Sequence, residues 1–244
     1  MRLLSVNVGT PRTVEWHGRE VTTAIFKHPV EGPRFVGRIN VEGDDQADRL
    51  AHGGEHRAVF VYQIESYDYW QRQLGRDDFT YGQFGENFTV DGLADDEVCI
   101  GDRYLIGTAL FEVTQPRVTC YRVGIRMEEP RMPALLVSHR RPGFYMRVLE
   151  EGVVEARQEI VKVSSGLETM TVAEVDALLY LPQRARRDLG RALRIPALSE
   201  GWKDSFRELL AREAGAAPPP DQAAPVWPGF RSLNVRSIEA ESAK

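Results

Sequence analysis

Cysteine is scarce in this chain, with two residues in 244. Cys99 and Cys120 form no Cys-x-x-Cys pair, so neither a disulfide framework nor a four-cysteine iron–sulfur cluster can be built from them. Thiols that are few and unpaired fit a reducing, cytoplasmic setting. Long apolar runs are missing too, which excludes a membrane-spanning helix. The opening residues Met1–Val6 lack the apolar core and small-residue cleavage site of a signal peptide. No dinucleotide-binding fingerprint occurs, and His52-Gly53-Gly54 lacks the spacing and the Gly-Lys-Ser/Thr of a Walker loop. Charge of one sign is also lacking. A formal net charge of -5 argues against non-specific nucleic-acid or anionic-membrane binding while leaving room for a local basic pocket.

What remains is an ordinary globular composition, 42% hydrophobic and 27% charged, at a length that supports one large domain plus a small appendage. The first two-thirds alternates with a period of two. Leu3–Val8, Val21–Phe26, Phe35–Val41, Phe88–Val90, Phe144–Leu149 and Glu159–Val163 read as strands. Ile64, Tyr67, Trp70 and Leu74 have helical spacing, with Gly75 as a C-terminal cap. Arg131–His139 reads as a short helix. From Met170 the period changes. Thr171 and Glu174 make a capping box, Arg186–Leu193 is a second helix, and Ser199 caps a third that carries Trp202 and Phe206. Residues 215–228 are rich in Ala and Pro and read as a linker, and Phe230–Val235 resumes strand-like alternation.

The stretch with the most chemical content is Thr114–Gly124. Ala109–Val113 alternates as a strand, and Pro116 cannot donate to a ladder, so the strand ends near Gln115. Cys120 follows on a turn, between Arg117 and Arg122. Permanent cations beside a thiol favour the thiolate, which attacks electrophiles or binds metals. A small buried apolar cysteine with two solvated arginines fits the same residues. Lys27 ends a strand and reads most simply as a surface cation. The acidic loop Gly43–Asp48 lacks the ligand spacing of an EF-hand and reads as solvated. The two glycines beside His52 permit close backbone approach to a ligand, with Arg57 available for an anion. Asn87 sits in the turn Gly85-Glu86-Asn87, and Cys99 reads as a core residue.

Taken together, Lys27 at a strand end, the Gly43-Asp44 loop, His52-Gly53-Gly54, Gly85-Glu86-Asn87, Gly101-Asp102 and Gln115-Pro116-Arg117 with Cys120 resemble a MOSC domain, the molybdenum cofactor sulfurase C-terminal type. The resemblance is greatest to the YiiM-like branch, which adds a three-helix domain. It implies a mainly β fold: a MOSC-type β-barrel with a few helices over residues 1–165, then a small three-helix α domain over 166–212. A Pro/Ala-rich linker would span 213–229, and 230–244 would begin a truncated downstream reductase domain.

The implied function is a molybdenum-dependent oxidoreductase that reduces N-hydroxylated compounds such as hydroxylaminopurine-type bases. Its cofactor is the molybdenum cofactor (molybdopterin). The resemblance makes Cys120 the metal ligand, and Lys27, Arg57, Arg117 and Arg122 the candidates for the cofactor phosphate. Asn87 and Gln115 are candidates for the pterin edge, and His52 for the proton donor. Electrons would come from a flavin/2Fe–2S reductase, in trans or fused downstream, and a homodimer would fit similar proteins. Val118-Thr119 and Arg122 depart from the pair and the lysine common among relatives; both keep the charge pattern. The alternative is a cofactor- or sulfur-carrier module that uses a Cys120 persulfide without turnover.

Overall fold

The computed structural model describes residues 1–45 and 54–213. His52, Gly53 and the expected strand at 230–235 lie outside the described residues. Among the described residues, twelve strands and six α-helices are arranged as a sheet-dominated body followed by three helices. The strands are β1 (Arg2–Val8), β2 (Arg12–Trp16), β3 (Arg19–Thr23), β4 (His28–Pro29), β5 (Arg34–Val36), β6 (Val59–Gln63), β7 (Phe88–Asp91), β8 (Arg103–Ile106), β9 (Ala109–Pro116), β10 (Phe144–Glu150), β11 (Gly152–Val154) and β12 (Ile160–Ser164). The helices are α1 (Ile64–Leu74), α2 (Tyr121–Met127), α3 (Met132–Ser138), α4 (Val172–Tyr180), α5 (Arg186–Leu193) and α6 (Glu200–Glu213).

Eight strands form one sheet in the order β12-β8-β9-β10-β6-β7-β1-β4. The class is mainly β, as expected, but no ladder closes the sheet among the described residues. It curls until β1 and the start of β12 meet through a single bridge, Arg2 to Glu159, and through the bond from Ile160 N to Met1 O at 3.0 Å. All strand pairs of the large sheet but β6–β7 are antiparallel. A parallel pair needs a crossover, and α1 lies within it. Gly75 caps α1 in the left-handed conformation.

The sheet is covered on both faces, which explains strand β6. Its sequence Val-Phe-Val-Tyr-Gln is buried throughout, the pattern of a strand with no wet face. Val59 and Val61 join one core with Phe88, Phe111 and Phe144. Phe60 and Tyr62 point the other way, into a second core with Trp70, Phe84, Met127 and Leu136 from the covering helices and loop. Helices α4–α6 share the first core: Val172, Val175, Leu189, Trp202 and Phe206 pack in the same cluster as Ile100 and Phe111. The expected capping box opens α4. Glu174 N donates to Thr171 Oγ1 at 3.1 Å, and Thr171 N donates to Glu174 Oε2 at 2.8 Å.

Two buried carboxylates mark the seam between the sheet and the helices. Asp95 accepts from Gln63 Nε2 at 2.7 Å and from Gly143 N at 3.1 Å. Burial pushes its acid up to about 7. Asp176 on α4 is also pushed up, by burial and then by Asp95. A raised carboxyl means that the folded state holds the proton over a range where the unfolded chain has lost it. Stability therefore falls as pH rises from about 4 to about 7. The Asp95→Asn variant is expected to be the more stable protein above pH 7, by up to a few kcal/mol, since each tenfold weakening of an acid on folding costs about 1.4 kcal/mol. Its amide can donate to Gln63 Oε1, which has no partner in the wild type. Thermal melts of both proteins from pH 4 to 8 check this; parallel curves would show that Asp95 titrates normally.

Candidate functional site

The cleft is built at the end of β9 and the start of β10. Pro116 closes the β9 ladder, as its missing N–H requires. Arg117 N donates to Gly143 O at 2.9 Å, which fixes the chain as it leaves the sheet. Cys120 is the extended residue immediately before α2. Cys120 thus lies past the strand end as expected, but the helix that begins at Tyr121 was not expected. Gly124 stands within it, where an added Cβ would lie 3.1 Å from Glu129 O. Its small size lets the following loop pack against the helix.

The cleft encloses about 720 Å³ of empty space, part of it open to solvent. Of the eight residues expected at the site, six line it: Lys27, Arg57, Asn87, Arg117, Cys120 and Arg122. These positions are up to 95 residues apart in the chain, and the fold brings them to one opening. His52 lies outside the described residues. Gln115 is placed differently. It is 1% exposed and does not form part of the cleft wall. It does share a row across three strands with two residues that do: Gln115 pairs with Tyr145, and Tyr145 pairs with Phe60.

Lys27 corrects the expectation of a surface cation. It is buried, and its Nζ donates to Asp44 Oδ1 in a short ion pair. Burial lowers its pKa, and the neighbouring Asp44 opposes that shift. Asp44 likewise corrects the reading of its loop as solvated. Its carboxylate collects Gly9 N at 2.9 Å, Lys27 Nζ and Asn87 Nδ2 at 2.8 Å. Asn87 in turn accepts from Phe60 N at 3.1 Å. One carboxylate thus ties together the end of β1, the residue before β4, the loop after β5 and the head of β7. Burying such a charge is costly unless it is paired and fully hydrogen-bonded, and here it is both.

Two glycines permit this closeness. Gly82 has φ +83°, and a Cβ there would meet Lys27 O at 2.6 Å. Gly85 has φ +81°, and a Cβ would meet Ile25 at 2.6 Å. Between Gly85 and Asn87 lies Glu86, wholly buried and satisfied by Tyr67, Gly82, Phe84 and Thr89. It is a structural hub behind the cleft, and burial raises its pKa.

The remaining wall is aromatic and cationic. The Arg117 guanidinium stacks 4.7 Å from the Phe60 ring centre and donates to Phe84 O at 2.9 Å. Phe60 and Tyr145 are in ring contact, with centroids 5.2 Å apart. Arg122 lies 5.2 Å over the ring of Tyr121. Asp44, Phe60 and Tyr145 were not expected in the site. The two aromatics alternate normally on their strands and carry no local mark that separates a cleft wall from core.

No group of three or more His, Cys, Asp and Glu suited to a bare metal ion occurs among the described residues. The cleft instead offers one half-buried thiol in a cationic, aromatic surround. Behind the wall, across the ladder from Tyr145, is buried Gln115, whose amide oxygen and nitrogen both lack a partner among the described residues. A buried amide with no hydrogen bond carries a cost of about 1–3 kcal/mol, which a ligand reaching it would relieve. These features fit an organic, anionic cofactor that brings its own metal and takes one protein thiolate.

The chain belongs to the YiiM-like MOSC family. The family model "MOSC domain" matches residues 48–161, and the "YiiM-like, 3-alpha helix domain" model matches residues 170–213. The chain is 37% identical over 210 residues to the uncharacterized protein YflK of Bacillus subtilis, covering 86% of this chain and 95% of that one. It superposes on the crystal structure of YiiM from Geobacillus stearothermophilus with a TM-score of 0.73 at 36% identity, covering 86% of this chain and 99% of that one. A protein named "Reductase" from Gibberella moniliformis is 37% identical over 138 residues, which are 55% of this chain and 24% of that longer protein. No described helix is long and apolar enough to cross a membrane.

Proposed function

We propose that the protein is a molybdenum-cofactor-dependent reductase of N-hydroxylated compounds, hydroxylaminopurine-type bases among them, in which Cys120 ligates the metal. The observation that carries this reading is the placement of Cys120, half-buried, in a cleft walled by Lys27, Arg57, Arg117 and Arg122. Family membership supports it, and so does the likeness to a fungal protein named a reductase. The cofactor, when bound, supplies a two-electron centre that accepts a soft thiolate ligand. Arg57, Arg117 and Arg122 would hold its phosphate, since guanidinium binds phosphate bidentately. Lys27 and Asn87, both fixed by Asp44, shape the floor beneath it. Gln115, the other residue expected at the pterin edge, is buried outside the cleft wall and would support that wall from behind Tyr145, its neighbour across the ladder. The cations also draw an anionic group to an otherwise acidic protein.

The reaction is R–NH–OH plus two electrons and two protons giving R–NH2 and water. A flavin/2Fe–2S reductase, in trans or fused downstream, would supply the electrons, and the setting would be cytoplasmic. His52 is retained as a proton carrier, because its ordinary pKa lies near working pH. The test is anaerobic turnover. Protein from a molybdopterin-producing host is mixed with a reduced viologen dye and an N-hydroxylated purine, and the amine is followed by chromatography. Amine formation that needs both the protein and the reductant is the expected result. Molybdenum-loaded protein that forms no amine contradicts the reading and favours the persulfide or cofactor carrier.

A further inference from the structure

The cleft wall carries a tyrosine, Tyr145, in addition to the thiol and the cations. Tyr145 stands on β10 in register with Gln115 of β9 and Phe60 of β6. Its ring packs on Phe60, and it forms part of the cleft wall with Cys120. Burial raises the pKa of its phenol, and Arg117 and Arg57 oppose that shift. Tyr145 shares the cleft wall with the thiol, the Lys27–Asp44 ion pair and two of the cations. It makes no hydrogen bond among the described residues, whereas Tyr62 and Tyr67 on the same side of the sheet are bonded. A tyrosine hydroxyl in a cleft usually finds a partner, so this one is poised for a ligand. Burial keeps it protonated, and therefore a donor, across the neutral range.

We propose that Tyr145 is a catalytic residue of the reduction, its hydroxyl donating a hydrogen bond to the hydroxyl oxygen of the N-hydroxylated substrate and passing that oxygen a proton as the N–O bond breaks. This rests on the reductase reading. The N–O bond breaks with its electron pair on oxygen, which takes the proton from Tyr145 and leaves as water. The nitrogen gains two electrons from the reduced cofactor and one proton from solvent, giving R–NH2. The phenolate recovers its proton from solvent through the open cleft, and Arg57 and Arg117 stabilise it meanwhile. A fixed donor aimed at an oxygen that gains charge in the transition state is a strong catalytic device. The donor also sets a preference. Substrates with a free N–OH can accept from Tyr145, and their O-methyl ethers, with a bulkier oxygen, fit it worse.

The test is Tyr145→Phe in the molybdenum-loaded protein, which removes one oxygen and leaves the ring on Phe60. Removing one such donor is expected to lower kcat by roughly 100-fold, with KM little changed. Metal content and melting temperature should equal those of wild type. A kcat near wild type would overturn the proposal, as would a kcat loss that merely follows lost molybdenum. Wild type that carries molybdenum but forms no amine removes the reductase reading and this proposal with it. Wild-type turnover that Tyr145→Phe retains removes only the role of Tyr145.

Discussion

Replacing Cys120 with serine is expected to abolish reductase turnover while leaving the fold intact. The thiol is half-buried on the residue before α2, outside both hydrophobic clusters. Its loss therefore opens no core cavity. The isosteric hydroxyl keeps the local backbone, so the melting temperature should move little; a substitution away from packed features costs about 0.5 kcal/mol or less. Chemistry is another matter. A serine hydroxyl is a hard donor that stays protonated at neutral pH, and it cannot replace a soft thiolate on molybdenum. Activity below a hundredth of wild type, with superimposable melts, is the expected outcome, since losing even an outer-shell partner of a metal ligand costs about 10–100-fold. Full turnover in Cys120→Ser would remove the thiolate from the mechanism.

Asp44→Ala should have the largest effect on stability in the site. The substitution strands three donors at once: Gly9 N, Lys27 Nζ and Asn87 Nδ2. Lys27 is left as a buried cation without its partner. Its pKa, already lowered by burial, then loses the opposing influence of Asp44. Removing one member of a buried pair typically costs about 3–5 kcal/mol. Urea denaturation at pH 7 should show a loss of that order. Asp44→Asn keeps acceptors for two of the donors and should cost less. The double variant Lys27→Met with Asp44→Leu should recover much of the stability, because both charges go together, yet still fail to hold cofactor. An Asp44→Ala protein within about 1 kcal/mol of wild type would mean that the pair is hydrated rather than buried.

Much of the fold was legible in the sequence wherever local physics decides it. The 3.6-residue spacing of Ile64, Tyr67, Trp70 and Leu74 with Gly75 beyond it describes α1. Thr171 and Glu174 start α4 as a capping box. Pro116 ends β9. What was not legible depends on distant partners. Lys27 sits at a strand end like any surface lysine, and only Asp44, seventeen residues away, makes it a buried ion pair. Asp44 looks like part of an acidic solvated loop until the chain folds Asn87 and Gly9 against it. β2 was missed because Arg12–Trp16 has an exposed, mostly polar pattern and gains its order from pairing with β3. The site cations could be assembled from a resemblance to a family, but Phe60 and Tyr145 could not. A strand residue facing a cleft and one facing a core alternate in the same way.

The central claim is that Cys120 and the cations around it hold a molybdenum cofactor. Elemental mass spectrometry on protein purified from a molybdopterin-producing host, wild type beside Cys120→Ala, tests it most directly. The account predicts near-stoichiometric molybdenum with a pterin that co-purifies in wild type, and loss of the metal in the variant. Folded wild-type protein from that host with no molybdenum, and with a Cys120 that carries an added sulfur atom by intact mass, would contradict it and establish a thiol carrier instead.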